Sequence, residues 1–252
     1  MTARPPGAER PPLAGPPHEG FPVPPRVREL AAGASVRGVW LNQLGGSTWE
    51  LGTGAGRRFV KWAPRGCGLD LEAEAARLRW AGRFVRVPAV LGAGDEERGA
   101  WLLLEALAGE SAVSERWRAE PERAARAIGQ GLRLLHDRLP VDSCPFSWSV
   151  AERLARAGAE GLARTAPAID RLVVCHGDAC APNTLLSDDG GVAGHVDLGA
   201  LGVADRWADL AVATWSMEWN YGPGLAEPLL EAYGIAPDEE RIAFYRLLWD
   251  LT

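Results

Sequence analysis

The hydrophobic pattern of the chain changes once, near Gly109, and this change limits the folds that the sequence can adopt. Before it, short apolar segments predict strands over residues 35–43, 47–53, 58–63, 87–94 and 100–107. One helix is predicted over 70–82, with Asp70 as its N-cap. After Gly109, helical spacing predicts helices over 121–139, 149–164, 205–220, 223–233 and 237–250. The expected fold class is therefore α+β, with a small β-rich N-terminal lobe containing one helix and a larger, mainly α-helical C-terminal lobe.

The order of these elements also predicts the domain boundaries. Residues 1–25 contain nine of the 19 prolines and almost no apolar pattern, which predicts a disordered or polyproline II-like tail outside the fold. Residues 26–107 are then expected to form the N-terminal lobe, and residues 108–252 the C-terminal lobe. Two lobes of unlike composition predict a cleft between them, and clefts at domain interfaces commonly bind ligands.

Composition excludes several classes of protein. Apolar residues make up 47% of the chain and charged residues 24%, as in ordinary globular proteins. No run of 18 apolar residues occurs and the first 25 residues lack the apolar core of a signal peptide, which predicts a cytoplasmic protein without membrane contact. The net charge of −6 argues against a nucleic-acid partner. The four cysteines predict no disulfide framework, and no second pair completes a zinc site around Cys175, His176 and Cys180.

Charge is distributed unevenly along the chain. Residues 178–252 contain 13 acids and three arginines, whereas residues 1–177 contain 20 acids and 24 basic residues. The acidic C-terminal third could attract a cation, either a metal ion or a positively charged substrate. A solvated acidic surface accounts for the same distribution equally well.

Polar residues at fixed spacing follow the short apolar segments 171–175 and 194–196. His176, Asp178 and Asn183 form the pattern H-x-D-x-x-x-x-N, and Asp197 begins a D-L-G sequence 14 residues after Asn183. This spacing matches the catalytic loop and the magnesium motif of kinases. Phosphoryl transfer needs a carboxylate that orients the attacking hydroxyl and accepts its proton, the role predicted for Asp178. It also needs hard oxygen ligands for Mg²⁺, which Asn183 and Asp197 are predicted to supply.

Lys61 is the only lysine among 27 basic residues, and it lies in the third predicted strand. Kinases place a strand lysine over the α- and β-phosphates of ATP and pair it with a glutamate of the following helix. Glu74 lies on the apolar stripe of that helix and is the predicted partner. Arginine would replace lysine poorly here, because its guanidinium is a wide planar fork. The turn at Gly46 and Ser47 would let the backbone approach the phosphates.

Some of these residues also allow an interpretation other than catalysis. A nucleotide-binding regulator without catalysis would contain a similar pocket, although the presence of Lys61, Asp178, Asn183 and Asp197 together favours an enzyme. His176 is predicted to shape the loop by hydrogen bonds rather than to transfer a proton. His136 is predicted to be structural, since it lies beside the apolar stripe of its helix.

Three segments resemble one family of antibiotic kinases: VVCHGDACAPNTLL, GHVDLGALGVADRWADLAVAT and YGIAPDEERIAFYRLLWDLT. They look like the aminoglycoside O-phosphotransferases of the 3′ type, and the resemblance runs from about residue 36 to the C-terminus. It implies a protein-kinase-like bilobal fold, ATP and Mg²⁺ as cofactors, and phosphorylation of an aminoglycoside hydroxyl, the 3′-hydroxyl first, which would confer antibiotic resistance. It also implies the roles already given for Asp178, Asn183, Asp197, Lys61 and Glu74.

The resemblance extends to the binding residues. It implies that adenine bonds to backbone around Glu105 to Leu107, the link between the lobes. It implies that acids of the helical lobe and the C-terminal carboxylate hold the ammonium groups of a polycationic substrate, by position Asp250, Thr252 and Glu218. The expected assembly is a monomer or a homodimer.

The sequence departs from the family at three places, all on the substrate side. The family usually ends in two acids and two aromatic residues, whereas this chain ends Trp249-Asp250-Leu251-Thr252. The arginine that commonly follows D-x-G is Ala200 here. Only 29 residues separate Phe146 from His176, fewer than the family typically has. A kinase of the same fold that acts on another hydroxylated acceptor, like choline or homoserine kinases, therefore stays an alternative.

Overall fold

The structure is a computed structural model that describes residues 15–251. It divides into two compact units: the first contains the described residues up to Ala75 together with Val90–Ala106, and the second contains Ala76–Ala89 and the chain from Leu107 onwards. Both strands and helices are present, as the predicted α+β class requires. The predicted boundaries differ from this division, because they placed all of 26–107 in one lobe.

The first unit is built on one antiparallel sheet of five strands in the order β1-β2-β3-β5-β4. The strands are β1 (Val36–Leu41), β2 (Ser47–Leu51), β3 (Arg58–Pro64), β4 (Val90–Glu96) and β5 (Gly99–Glu105). Leu102, Leu103 and Leu104 of β5 are all buried. Continuous apolar sequence in a strand is typical of a strand inside a sheet, and β5 pairs on both sides.

The prediction of a disordered tail over residues 1–25 is wrong for residues 15–25. Helix α1 (Pro25–Ala31) begins inside that range, and the segment before it packs on the sheet. Phe21 and Val23 join a cluster that contains the buried Val27 and Trp49. The amide of Leu41 also donates to Gly15 O at 2.7 Å. The high proline content therefore gave no indication that this segment buries apolar area on folding. Residues 1–14 lie outside the described part of the chain.

Helix α2 (Leu71–Ala81) follows β3 and agrees with the helix predicted over 70–82. The side chain of Asp70 accepts a hydrogen bond from the amide of Ala73 at 2.8 Å, as an N-cap does. Glu72 and Glu74 occupy the first turn, where carboxylates interact favourably with the helix dipole.

The second unit is mainly helical. Its helices are α3 (Glu115–Arg118), α4 (Pro121–Arg138), α5 (Val150–Arg156), α6 (Trp207–Tyr221), α7 (Ala226–Tyr233) and α8 (Glu239–Leu251). Helix α4 buries the predicted stripe of Ile128, Leu132 and Leu135. The helix predicted over 149–164 is too long, because α5 ends at Arg156 and Gly158 follows with a φ of 62°. Glycine adopts this left-handed conformation readily, and it ends the helix.

Two small sheets position the polar motif of the second unit. Strand β7 (Leu172–Cys175) pairs with β10 (Gly202–Asp205), and β8 (Thr184–Leu186) pairs with β6 (Glu110–Ser111) and β9 (Val192–His195). The loop from His176 to Asn183 therefore connects β7 to β8, and Asp197 lies two residues after the end of β9. Within residues 15–251, no helix is long and apolar enough to cross a membrane.

Candidate active site

The first unit contains the predicted lysine–glutamate pair. Nζ of Lys61 donates to Oε1 of Glu74 at 2.6 Å, and their side chains are 15% and 5% exposed. Lys61 is directed by the pairing of β3 with β2 and β5, and Glu74 by the first turn of α2. A buried carboxylate is costly without a positive partner, so each side chain fixes the position of the other.

The other residues predicted to bind nucleotide lie at strand ends. Gly46 precedes β2, and a Cβ on Gly46 would lie 2.3 Å from Cδ1 of Leu69, so a larger residue there would require the side chain of Leu69 to move. The hydroxyl of Ser47 is buried and accepts a hydrogen bond from Nε1 of Trp49 at 2.9 Å. Glu105 is the last residue of β5, and Leu107 is the first residue of the second unit after it. The nucleotide-binding roles of these four residues stay predictions.

In the second unit, Asp178 and Asn183 contact each other at the ends of the loop between β7 and β8. Nδ2 of Asn183 donates to the backbone oxygen of Asp178 at 3.0 Å and to its carboxylate Oδ2 at 3.2 Å. Both amide hydrogens of Asn183 are thereby directed at Asp178, which leaves the amide oxygen as the atom that can ligate a metal ion. Oδ1 of Asp178 is buried and has no hydrogen-bond partner within the described chain.

Asp197 follows β9 with an unusual backbone conformation. Its φ is 64°, in the left-handed region that non-glycine residues seldom adopt. Such a conformation costs on the order of 1 kcal/mol, and short polar side chains such as aspartate tolerate it best. The chain thus accepts local strain at the residue that the motif assigns to metal binding.

The two carboxylates of the motif affect one another. Burial raises the pKa of Asp178, and the nearby negative charge of Asp197 raises it further. The two negative charges repel each other, and a divalent cation would relieve that repulsion. The amide oxygen of Asn183 and the carboxylate of Asp197 are hard oxygen atoms, the kind of ligand that Mg²⁺ prefers.

A residue that the sequence analysis missed holds the catalytic loop. Asp209 of α6 is fully buried, and its carboxylate accepts bonds from the backbone amides of His176 and Gly177 at 2.6 and 2.9 Å. It also bonds to Nε2 of His136 at 2.9 Å. Burial alone would raise the pKa of Asp209, but these bonds hold its pKa below the usual value. The sequence feature that could have indicated Asp209 is its position as the one charged residue in the apolar segment 207–213.

His136, Cys175 and Asp209 are also close enough to hold a metal ion, since their ligand atoms lie within 4.8 Å of one another. The hydrogen bonds give a better account of this cluster. Nδ1 of His136 lies 2.9 Å from the hydroxyl of Tyr233, and both oxygens of Asp209 already accept bonds. The predicted structural role of His136 is thus confirmed.

His176 shapes the loop as predicted. It is buried, its Nε2 lies 2.9 Å from the backbone oxygen of Val196, and its Nδ1 accepts from the amide of Asp178 at 3.3 Å. These contacts imply that the proton is on Nε2, because a backbone oxygen can only accept. The ring thereby connects the backbone of Asp178 to that of Val196, the residue before Asp197.

The residues predicted to bind substrate are placed differently from one another. Asp250 is exposed on α8. Glu218 of α6 is bonded to Nη2 of Arg246 at 3.0 Å, so its charge is already balanced by a neighbouring helix. Thr252 lies outside the described residues. The substrate-binding role of all three residues stays a prediction.

Comparisons with known proteins agree on the family. The model of the phosphotransferase enzyme family matches residues 27–159 and 150–245. An aminoglycoside 3′-phosphotransferase of Streptomyces fradiae is 41% identical over 74% of this chain and 81% of its own length. A streptomycin 3″-kinase of Streptomyces griseus is 35% identical over 86% of this chain and 93% of its own length.

Solved structures give the same result. The crystal structure of an aminoglycoside 3′-phosphotransferase of type VIII has a TM-score of 0.77 and 35% identity, and covers 90% of this chain and 97% of its own. Aminoglycoside phosphotransferase APH(3″)-Id of Streptomyces rimosus has a TM-score of 0.71 and 31% identity, and covers 89% and 95%. Both are aminoglycoside phosphotransferases, which confirms the expected protein-kinase-like fold. The chain belongs to the phosphotransferase enzyme family, among its aminoglycoside phosphotransferases.

Proposed function

We propose that this protein transfers the γ-phosphoryl group of ATP to a hydroxyl group of an aminoglycoside, with the 3′-hydroxyl as the first candidate. The observation that carries the proposal is the state of Asp178. Its Oδ1 is buried without a partner in residues 15–251, while Asn183, His176 and Asp209 fix the loop around it. Such an unused carboxylate oxygen is suited to accept a proton from a bound hydroxyl.

Asp178 accepts the proton of the acceptor hydroxyl, the hydroxyl oxygen forms a bond to the γ-phosphorus, and the bond from that phosphorus to the bridging oxygen of ATP breaks. ADP leaves, and the phosphate ester stays on the drug. The added phosphate carries a charge of about −1.5 to −2, which weakens any binding mode that depends on cationic attraction. Resistance to the drug is the expected consequence.

Asn183 and Asp197 are the residues proposed to hold Mg²⁺. The ion would neutralise charge on the phosphate oxygens and orient the transferred group. Both residues carry hard oxygen atoms, and a cation at Asp197 would relieve its repulsion with Asp178, which supports this assignment.

Lys61 is proposed to contact the phosphates of ATP, held in place by Glu74 at 2.6 Å. The narrow turn at Gly46 and Ser47 is proposed to place backbone amides near the same phosphates. Backbone groups from Glu105 to Leu107 are proposed to bond to adenine. A cytoplasmic location and a monomeric or homodimeric state remain predictions from the sequence.

Streptomycin is the second candidate acceptor, with its 3″-hydroxyl as the site of transfer. The observation that favours it is the long match to the streptomycin 3″-kinase, which extends over 86% of this chain. This second relative is matched over more of the chain than the 3′-phosphotransferase of S. fradiae, although it is less similar per residue.

The test is ADP release in the presence of Mg-ATP and kanamycin, neomycin, streptomycin, choline or homoserine, followed by NMR of the phosphorylated product. Turnover of kanamycin or neomycin with a 3′-phosphate product would support the first candidate. Turnover of streptomycin alone, with a 3″-phosphate, would select the second. Turnover of choline or homoserine without any aminoglycoside would overturn the proposal and favour the other kinases of this fold.

A further inference from the structure

Three tryptophans form a partly exposed cluster on the second unit. Trp215 and Trp219 lie on α6, and Trp249 lies on α8. Their ring centroids are 4.6 Å apart for Trp215 and Trp219, 5.8 Å for Trp219 and Trp249, and 6.2 Å for Trp215 and Trp249. All three are only half-buried, although tryptophan in a helical seam is usually well covered. We call these residues the tryptophan cluster.

The cluster lies close to the catalytic loop. The hydroxyl of Ser216 on α6 accepts from the amide of Ala181 in that loop at 2.9 Å. Each residue turns an α-helix by about 100°. Trp219, three residues after Ser216, therefore lies about 60° from it around the helix, and Trp215, one residue before Ser216, lies about 100° from it on the same side. Further round that side, Ala211 and Thr214 contact Arg246 of α8. The tryptophans therefore occupy the stripe of α6 between the catalytic loop and α8.

Charged neighbours indicate what the cluster can bind. The guanidinium of Arg246 lies 5.7 Å from the ring of Trp215 and bonds to Glu218, so one face of the cluster already contacts a cation. Trp219 and Trp249 form the rest of the surface, with rings inclined at 39°. Asp250 follows Trp249 in sequence and is exposed. Aromatic faces suit a ligand ring that has apolar C–H groups on its face, and they attract cationic groups such as ammonium.

We propose that Trp219 and Trp249 form a stacking platform for one ring of the acceptor. The acceptor class is thus a glycoside with amino groups, bound by aromatic stacking as well as by charge. This inference rests on the proposed function. It differs from a site built only of acids, because it adds contacts with two aromatic rings.

The test compares Trp219→Leu and Trp249→Leu with wild type in steady-state assays on the aminoglycoside that wild type turns over. The KM for that drug should rise about five- to thirtyfold, in line with the loss of a cation–π or stacking contact. The KM for ATP should stay unchanged, and Trp219→Phe should recover most of the affinity. Trp101→Leu, a half-buried tryptophan of β5, is the matched control and should leave the KM for the drug unchanged.

Calorimetric titration of kanamycin and streptomycin into the ATP-free wild-type and Trp219→Leu proteins separates the inference from the proposed function. Weaker binding to the variant at an unchanged melting temperature supports the platform. Normal turnover and equal drug binding in wild type and both leucine variants would overturn the platform while the proposed function stands. Absence of both turnover and drug binding in the wild type would overturn both.

Discussion

At the residue scale, the proposed site depends on charged groups that lie beside one another. Lys61 and Glu74 form a nearly buried ion pair, and Asp178 and Asp197 form a pair of like charges. Removing one partner of a buried pair leaves the other charge desolvated, so effects on stability and on activity need to be separated. For both pairs, comparing two variants at the same position separates the effect on stability from the effect on activity.

Lys61→Ala should lower kcat/KM for ATP by at least about a hundredfold, because the proposed phosphate contact is lost. It should also destabilise the protein by about 3 kcal/mol, since Glu74 stays buried without the lysine. The double variant Lys61→Met with Glu74→Leu should recover most of that stability and none of the activity. Denaturant unfolding and ADP-release assays measure the two effects. Wild-type turnover in Lys61→Ala would disprove the assignment.

Asp197→Gly should abolish magnesium-dependent turnover without lowering the melting temperature. Glycine adopts the φ of 64° without strain, and the variant also removes a charge that repels Asp178. Asp197→Ala is the matched control: it loses activity equally but keeps the strained backbone, so it should melt at a lower temperature than Asp197→Gly. Equal melting temperatures for the two variants would show that the backbone at Asp197 stores no strain.

At the element scale, helix α6 organises the second unit. Asp209 in its first turn holds the loop after β7, Ser216 bonds to Ala181 of the same loop, and Trp219 lies near its end. One helix thus positions both the catalytic loop and the proposed acceptor platform. A change in the first turn of α6 should therefore affect catalysis at a distance from the reacting atoms.

Asp209→Asn should lower both stability and kcat. The asparagine amide keeps the shape of the carboxylate but loses its charge, and its NH₂ group cannot accept a hydrogen bond in place of the second oxygen. The folded pKa of Asp209 lies below the unfolded value of about 3.9, so its charge stabilises the fold above that pH. That contribution is lost as the pH falls below about 4 towards the folded pKa. The difference in unfolding free energy between wild type and variant should accordingly be large at pH 7 and shrink below pH 4. A difference independent of pH would contradict this account.

The sequence predicted the local parts of this arrangement better than the distant ones. Spacing alone located Asp178, Asn183 and Asp197, and the pairing of Lys61 with Glu74 followed from a strand and a helix that are adjacent along the chain. Asp209 lies more than 30 residues beyond the amides that it holds, so no local pattern marks it. The contacts of Trp219 with Trp249 are missed for the same reason, because packing between α6 and α8 leaves no periodic signal.

At the scale of the whole molecule, the extent of the folded chain differs from the sequence-based expectation. The proline-rich start predicted a tail up to residue 25, yet Phe21 and Val23 pack against the sheet of the first unit. Prolines mark an extended backbone, but they do not say whether the side chains between them are buried. Only the packed structure shows that this segment contributes to the first core.

Phe21→Ala should lower the melting temperature, because its ring contacts Trp49 with a centroid distance of 6.0 Å and helps to cover the core. The expected loss is about 1–2 kcal/mol, less than for a fully buried phenylalanine. Leu91→Ala is the control, since Leu91 is 50% exposed in β4 and should change stability little. Equal stability of Phe21→Ala and wild type would show that the segment before α1 does not support the fold.

The most direct test of the central claim is transfer of the γ-phosphoryl group from labelled ATP to an aminoglycoside by wild type and by Asp178→Asn. The account predicts labelled kanamycin, neomycin or streptomycin with the wild type. It predicts a loss of about a hundredfold or more in Asp178→Asn, with ATP binding and melting temperature retained. Equal transfer by the two proteins would contradict the role of Asp178, and no transfer by the wild type to any of these drugs would contradict the proposed function.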